Sequence, residues 1–368
     1  MRKRKAAHFL LVPELLHSPP NHAIITSYLE NDYQVDIYSP GALSQSNRYG
    51  EYVRLFNVEY SWSWILRNSL GFRWFSYNVI SGTSEDPLLI VGLISTIYRK
   101  RSICLVDEIK SGSYRGDRSE IWKNLCKKAI RRSDLRIVND ESRTSLLKDY
   151  AELEKGQKVM VYPGSFYERP KRSTETRMRY RNHWGINQNE FVIGSSGGFN
   201  MTAGADWLLQ YVKTNEEVCA VIQPLGVTPL SMYLLKHFEC RGKMYIQEKR
   251  MDWDEAWESA QALDVGLCIY KNKAPQFQHM GVSSNRLCMF LAMGVPVIAT
   301  RQKSFEFLEE YNCGKIVDNY EEFVNSIGYI REYSSIMRMN CERCFRDYIR
   351  PKERYDELSK YIYSKLRK

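Results

Sequence analysis

Apolar and polar positions follow two rhythms that take turns along this chain. Short apolar runs, of the kind needed by strands buried on both faces, precede stretches whose apolar residues recur at helical spacing. In the first half the strand-like runs are Ala7 to Pro13, Gln34 to Ser39, Asn78 to Ser81, Ser102 to Asp107, Leu135 to Asn139 and Val159 to Pro163. Helical stretches fall at His22 to Asn31, Pro87 to Tyr98, Ser119 to Arg132 and Ser142 to Tyr150. This alternation builds βα units around a parallel sheet.

The rhythm stops between Tyr167 and Trp184, where arginines crowd around Pro170 and aliphatic residues are few. Such a stretch reads as a linker. The alternation then restarts with strand Phe191 to Gly194, helix Ala205 to Val212, strands Val218 to Gln223 and Lys243 to Gln247, helix Trp253 to Ala262 and strand Val265 to Tyr270. Beyond Thr300 the chain is helical and charged. The expected division is an N-terminal domain over 1–166, a linker over 167–186, a second domain over 187–350 and a C-terminal helix over 351–368 that packs back on the first domain. Each domain is long enough for its own core.

Composition narrows the function classes. With 43% hydrophobic and 26% charged residues the chain is that of a water-soluble globular protein. No apolar run approaches the roughly 18 residues that span a bilayer. MRKRK opens the sequence, but neither an apolar signal core nor a small-residue cleavage site follows, which points to the cytoplasm. The nine cysteines are scattered and odd in number, so they read as reduced thiols. Cys341 and Cys344 form a lone C-x-x-C with no second pair, too few ligands for zinc.

The net charge of +10 calls for an anionic partner. Much of it lies in Arg2 to Lys5, Arg169 to Arg181 and Lys365 to Lys368. No nucleic-acid motif accompanies it, and an anionic membrane surface is the more economical reading.

The most specific stretch is Gly281 to Thr300, GVSSNRLCMFLAMGVPVIAT. Ser283, Ser284 and Asn285 cluster as a loop and N-cap, Arg286 adds a cation, and an apolar helix ends at Gly294 before a buried strand. Small polar residues and a cation at a helix N-terminus suit an anion, usually a phosphate. The same pattern also describes an ordinary capped α/β unit.

The run Ala292-Met293-Gly294-Val295-Pro296-Val297-Ile298-Ala299 resembles the nucleotide-sugar site of GT-B glycosyltransferases, in particular the retaining family 4 with its bacterial polysaccharide transferases. Other segments are similar to that family in the same order: Tyr77 to Ser81 with Asp86-Pro87, Asp134 to Ser142, Val161 to Gly164, and Phe191 to Gly194. The resemblance implies two Rossmann-like α/β domains facing each other across a cleft. It also implies a nucleotide-sugar donor, a glycan or lipid-linked acceptor and no metal or other cofactor.

The chain departs from that family at the site itself. Counting back from Gly294 puts Gly281 and Met289 where the family carries the two carboxylates of its E-x7-E pair. The loop Gly197 to Gly204 lacks the family's phosphate-binding Arg and Lys, leaving Gly198 and backbone N–H groups as the cradle. Arg286 is the candidate replacement cation, with a surface salt bridge as its plain alternative. Lys271 and Lys273 lie past the strand ending at Tyr270, where a solvated loop is the commoner reading. His279 stands beside the donor position, and Glu248 falls where relatives contact base or ribose. Three readings stay open: an unusual donor, an inverting reaction, or lost catalysis in a scaffold subunit. A CMP-sugar donor of the sialyl or Kdo type is one form of the first, because one phosphate needs fewer cations.

An inverting transfer needs a base from the first domain. Asp107 and Glu108 at a strand end are the leading candidates. Asp86 is another, though its position before Pro87 also fits a helix cap. Asp252-x-Asp254 resembles a metal-binding pair, but its place before a helix fits N-capping better. The sequence therefore predicts a cytoplasmic glycosyltransferase of cell-surface polysaccharide assembly, peripheral on the inner face of the membrane.

Overall fold

The computed structural model describes residues 4–41, 49–107, 120–224, 233, 244–247 and 251–366. The chain divides into two compact units, one of Met1–Tyr167 with Pro351–Lys368 and one of Glu168–Arg350.

The first unit holds seven parallel strands: β1 (Arg4–Phe9), β2 (Tyr33–Ser39), β3 (Val53–Asn57), β4 (Val79–Thr83), β5 (Arg101–Leu105), β6 (Leu135–Val138) and β7 (Val159–Val161). They are ordered β3-β2-β1-β4-β5-β6-β7. β1 pairs with β2 on one side and β4 on the other, with Ala6 opposite both Val35 and Val79. Adjacent residues serve opposite faces. Val79 joins Ile24, Val35 and Ile103 in one core, while Ile80 joins Phe9, Leu88 and Cys104 in the other. This double burial is why the strands read as nearly unbroken apolar runs.

Several boundaries move for local reasons. β1 runs from Arg4 to Phe9, and Pro13 opens a short 3-10 turn instead of ending the strand. Proline carries no N–H for the ladder. The first helix begins at Pro19, earlier than His22, with both prolines in its first turn where a missing N–H costs nothing. β3 and the helix Trp62–Ser69 have no counterpart in the sequence reading.

The second unit holds β8 (Phe191–Gly197), β9 (Val218–Pro224), β10 (Met244–Ile246), β11 (Val265–Cys268), β12 (Val297–Thr300) and β13 (Gly314–Val317). The order is β10-β9-β8-β11-β12-β13, all parallel. In both units the order reverses beside the first strand, between β1 and β4 and between β8 and β11. Loops leave in opposite directions there, and the crevice between them is where such sheets bind ligands.

The stretch expected as a linker contains an α-helix, Thr174–His183, capped by the Ser173 hydroxyl, which accepts from the Thr176 amide at 3.0 Å. Charge pairing replaces the missing apolar stripe. Arg177 and Arg181, one turn apart, both reach Asp264 at the head of β11, at 2.7 and 2.6 Å, and Arg338 adds a third guanidinium at 3.0 Å. Asp264 also accepts from the Val192 amide at 2.8 Å. Burial alone would raise its pKa, but the three arginines outweigh that and hold it below the ordinary carboxylate value. Arg172 pairs with Glu342 and Arg179 with Glu258. The basic run 169–181 is therefore largely committed to internal partners rather than presented as a free cationic surface.

Among the described residues no helix is long and apolar enough to cross a membrane. Replacing Asp264 by Asn leaves Arg181, only 1% exposed, without a counter-charge. The variant is expected to lose about 3–5 kcal/mol in urea unfolding. Arg179→Ala, which removes an exposed pair, should leave the midpoint close to wild type.

Candidate functional site

The crevice between β8 and β11 gathers the residues around Arg286. The helix Asn285–Ala292 begins after Ser284, whose hydroxyl accepts from the Leu287 amide at 3.3 Å. That cap and the Cys288 amide's bond to the Ser284 carbonyl, 3.0 Å, satisfy the third and fourth N–H groups. Among the described residues the first two, of Asn285 and Arg286, have no acceptor at the positive end of the helix dipole.

Arg286 is half-buried, and its donors span the crevice. Nε donates to the Tyr270 hydroxyl at 2.9 Å, one terminal nitrogen to the Ser196 carbonyl at 3.2 Å and the other to the Ile269 carbonyl at 3.4 Å. The guanidinium carbon lies 4.4 Å from the centre of the Tyr270 ring. Among the described residues three of the five N–H groups are thus engaged, and two remain for an anion. Among the described residues no carboxylate pairs with Arg286. Burial would lower its pKa, but Tyr270 and Cys268 hold it above the ordinary arginine value, so the cation persists.

Tyr270 joins the parts together. Its hydroxyl lies 2.6 Å from the Ser284 hydroxyl, and its amide donates to Thr300 Oγ1 at 3.0 Å. One residue therefore ties three parts together, its phenol joining the helix cap to the cation and its backbone joining both to the end of β12. In the sequence Tyr270 stands out only as a strand end, and its signal is a polar aromatic where an apolar strand stops.

The remaining candidates divide. Ser283 is buried and its hydroxyl donates to the Met280 carbonyl, so both hydroxyls of the Ser-Ser pair serve internal bonds. Gly198 is exposed, and a Cβ there would meet only the Asn200 side chain, at 3.6 Å. Gly197 before it has φ +92°, the conformation that favours glycine. Lys271 lies on the same side but its ammonium makes two 2.8 Å contacts to Asp206 and stacks 4.0 Å from Trp207. Its charge already has a partner, unlike that of Arg286. His279 ends the short Pro275–Gln278 turn and is half-buried. Gly281 and Met289, in place of the two carboxylates, sit in a 3-10 turn and inside the helix, both buried. Glu248 lies outside the described residues. Asp252 caps the helix Trp253–Ala260, accepting from the Glu255 amide at 2.8 Å.

In the first unit Asp107 lies just past β5 and accepts from the Ser84 hydroxyl at 2.8 Å. Glu108 falls outside the described residues. Asp86 does not cap its helix: Ser84 holds the cap position, at φ +70°, and Asp86 is buried within the first turn. Among the described residues no cluster of His, Cys, Asp and Glu could hold a metal ion.

A second polar group, at the β1/β4 crevice, escaped the sequence reading. His8 Nδ1 lies 2.7 Å from the Ser81 hydroxyl and Nε2 lies 2.9 Å from Asn21 Oδ1, which also accepts from Thr83. All four are fully buried. Burial lowers the His8 pKa to about 4, against the raising effect of the Asn21 bond. Polar residues at alternate positions of otherwise apolar strands (His8, Ser81, Thr83) were the legible sign.

The chain matches no protein-family model and no curated protein sequence. Its fold is that of solved GT-B proteins. Similar structures include HepE of Anabaena, solved in complex with UDP, with TM-score 0.76 and 15% identity over 98% of this chain and 100% of that one. WaaG, a glycosyltransferase involved in lipopolysaccharide biosynthesis, follows with TM-score 0.69 and 12% identity over 98% and 100%. A putative UDP-N-acetylglucosamine 2-epimerase from Listeria monocytogenes gives TM-score 0.60 and 11% identity over 92% and 91%. The last is named an epimerase rather than a transferase, so the fold alone does not name the reaction.

His8 supplies a pH test of the first unit. Folded, it stays neutral down to about pH 4. In the unfolded chain it takes a proton below about 6.5. Its contribution to stability is therefore complete above about pH 6.5 and falls by about 3 kcal/mol as the pH drops to about 4. Urea midpoints across that range should show the loss, and His8→Gln should flatten the profile.

Proposed function

We propose that this chain is a glycosyltransferase that moves a sugar from a nucleoside-diphosphate sugar to a glycan or lipid-linked acceptor. Its setting is cell-surface polysaccharide assembly, at the cytoplasmic face of the membrane. One observation carries the reading. Arg286 is a half-buried cation at the carboxyl ends of β8 and β11, with two uncommitted N–H groups and no carboxylate partner among the described residues. A charge taken partly out of water without a counter-ion is costly unless a ligand completes it. The open N–H groups of Asn285 and Arg286 face the same need for negative charge.

The chemistry follows from those groups. As the bond from sugar to phosphate breaks, negative charge builds on the departing nucleotide. A fixed guanidinium and a helix N-terminus stabilise that charge without reorganising. Asp107, held by Ser84, is the candidate in the first unit for taking the acceptor hydroxyl's proton. The commitment of both serine hydroxyls to internal bonds favours a diphosphate held by Arg286 over a CMP-sugar held by the Ser-Ser pair. HepE, of the same fold, was solved with UDP, so a uridine donor is the first to test. The absent carboxylates at Gly281 and Met289 favour a second reading, a scaffold that binds nucleotide without transferring sugar.

Thermal unfolding in UDP, GDP, CMP and UDP-sugars tests this. A ligand at about a hundred times its dissociation constant should stabilise the chain by roughly 2.7 kcal/mol. Arg286→Ala should remove most of that gain. Tyr270→Phe, which keeps the ring but frees Nε, should weaken it by about tenfold in affinity. No response to any nucleotide at millimolar concentration would end the transferase reading. A response without sugar transfer or hydrolysis would leave the scaffold.

A further inference from the structure

The strongest surface feature outside the site lies on the first unit. The helix Trp62–Ser69 buries Ile65 against Leu89 and Trp122, yet it is apolar on the other side too. Trp62, Leu66 and Leu70 follow one another at four-residue spacing and are exposed, Leu70 at 68%. The chain then turns into the short helical segment Phe72–Ser76, where Phe72 is 87% and Phe75 63% exposed. The two rings lie 6.3 Å apart, and Phe75 meets Tyr98 at 4.9 Å. Four large apolar side chains, Leu66, Leu70, Phe72 and Phe75, are thus more than half exposed along one continuous piece of chain, and Trp62, packed edge-on against Trp122 at 4.6 Å, is 40% exposed beside them.

Within the segment itself the charge has one sign. From Tyr60 to Asn78 there is no Asp or Glu. Arg67 and Arg73 are exposed within the segment, and Arg99 and Lys100 stand behind Tyr98. Lys100 Nζ donates to the Phe75 carbonyl at 3.0 Å, which fixes a cation beside the ring, and burial lowers its pKa. Arg73 is exposed, its guanidinium stacked 4.5 Å from Trp74 and donating to Asn68 Oδ1 at 3.0 Å.

Aromatic and leucine side chains ringed by Arg and Lys form the pattern of a surface that sinks into the headgroup region of a bilayer. A second copy of this chain fits poorly, since a symmetric contact would set the same cations against each other. We propose that the face formed by Trp62, Leu66, Leu70, Phe72 and Phe75 docks this chain on an anionic lipid bilayer. The proposal deepens the reading of a transferase at a membrane, but the docking itself requires no nucleotide. The apolar side chains enter the boundary between headgroups and acyl chains, while Arg67, Arg73, Arg99 and Lys100 meet lipid phosphate.

The test is co-sedimentation of the full chain, without nucleotide, with vesicles of phosphatidylcholine alone and of phosphatidylcholine with phosphatidylglycerol. Wild type should bind the anionic vesicles and release them as salt rises. Phe72→Ser with Phe75→Ser should weaken binding about tenfold or more, and Arg67→Glu with Arg99→Glu should do the same. Both pairs are exposed, so unfolding temperature should hold, and the response to UDP should match that of wild type. Binding unchanged in both double variants overturns the proposal. So does light scattering that shows a wild-type dimer made monomeric by the phenylalanine changes with no vesicle binding in either. Vesicle binding intact in a wild-type chain that ignores every nucleotide would instead sink the transferase reading and leave this one standing.

Discussion

Parallel strands all deliver their loops to the same two ends of a sheet, and every other property of this protein is arranged around that constraint. Helices must cover both faces, so neither face is free for chemistry. Only the ends remain, and only the point of reversal leaves a gap between diverging loops. In the second unit that gap lies between β8 and β11, where Arg286 bonds to the carbonyls of Ser196 and Ile269 on its two sides. The opposite end of the same sheet carries Asp264 with its three arginines. Among the described residues one end thus holds a cation without a carboxylate partner and the other a carboxylate crowded with partners. The crowded end provides rigidity, and the other end is free to take a ligand.

Legibility in the sequence followed the type of force. Strands buried on both faces, such as Val79–Thr83 and Val265–Cys268, stood out because their apolar runs have no competing explanation. β3 did not, because at the edge of its sheet it exposes Arg54, Leu55 and Asn57 and shows no clean period. The helix Thr174–His183 was hidden for a related reason. Its packing runs through guanidinium and carboxylate pairs with residues some eighty positions away, and a sequence window of arginines looks the same whether solvated or clamped.

At the candidate site, the cation was legible and its support was not. Arg286 followed from a helix N-terminus of small polar residues, a local pattern. Tyr270 matters through what it touches, sixteen residues from Arg286 and fourteen from Ser284. The difference between Lys271 and Arg286 was equally invisible, since both are cations after strands. It is settled by Asp206, on a helix far back in the sequence. The same holds for His8, which has no meaning until Ser81 and Asn21 surround it.

The first unit is completed by the last residues of the chain. Tyr355 stacks on Tyr167 at 3.9 Å, Leu358, Ile362 and Leu366 join the core of β1 and β2, and Tyr33 donates to the Leu366 carbonyl. The second unit is thus an insertion within the first. During synthesis all of 168–350 must leave the ribosome before that core can close. The early sheet waits with an apolar face uncovered, while the inserted unit can already finish its own. Birth order and completion order are reversed, and a nascent chain stalled before Leu358 would present a finished second unit tethered to an open first one.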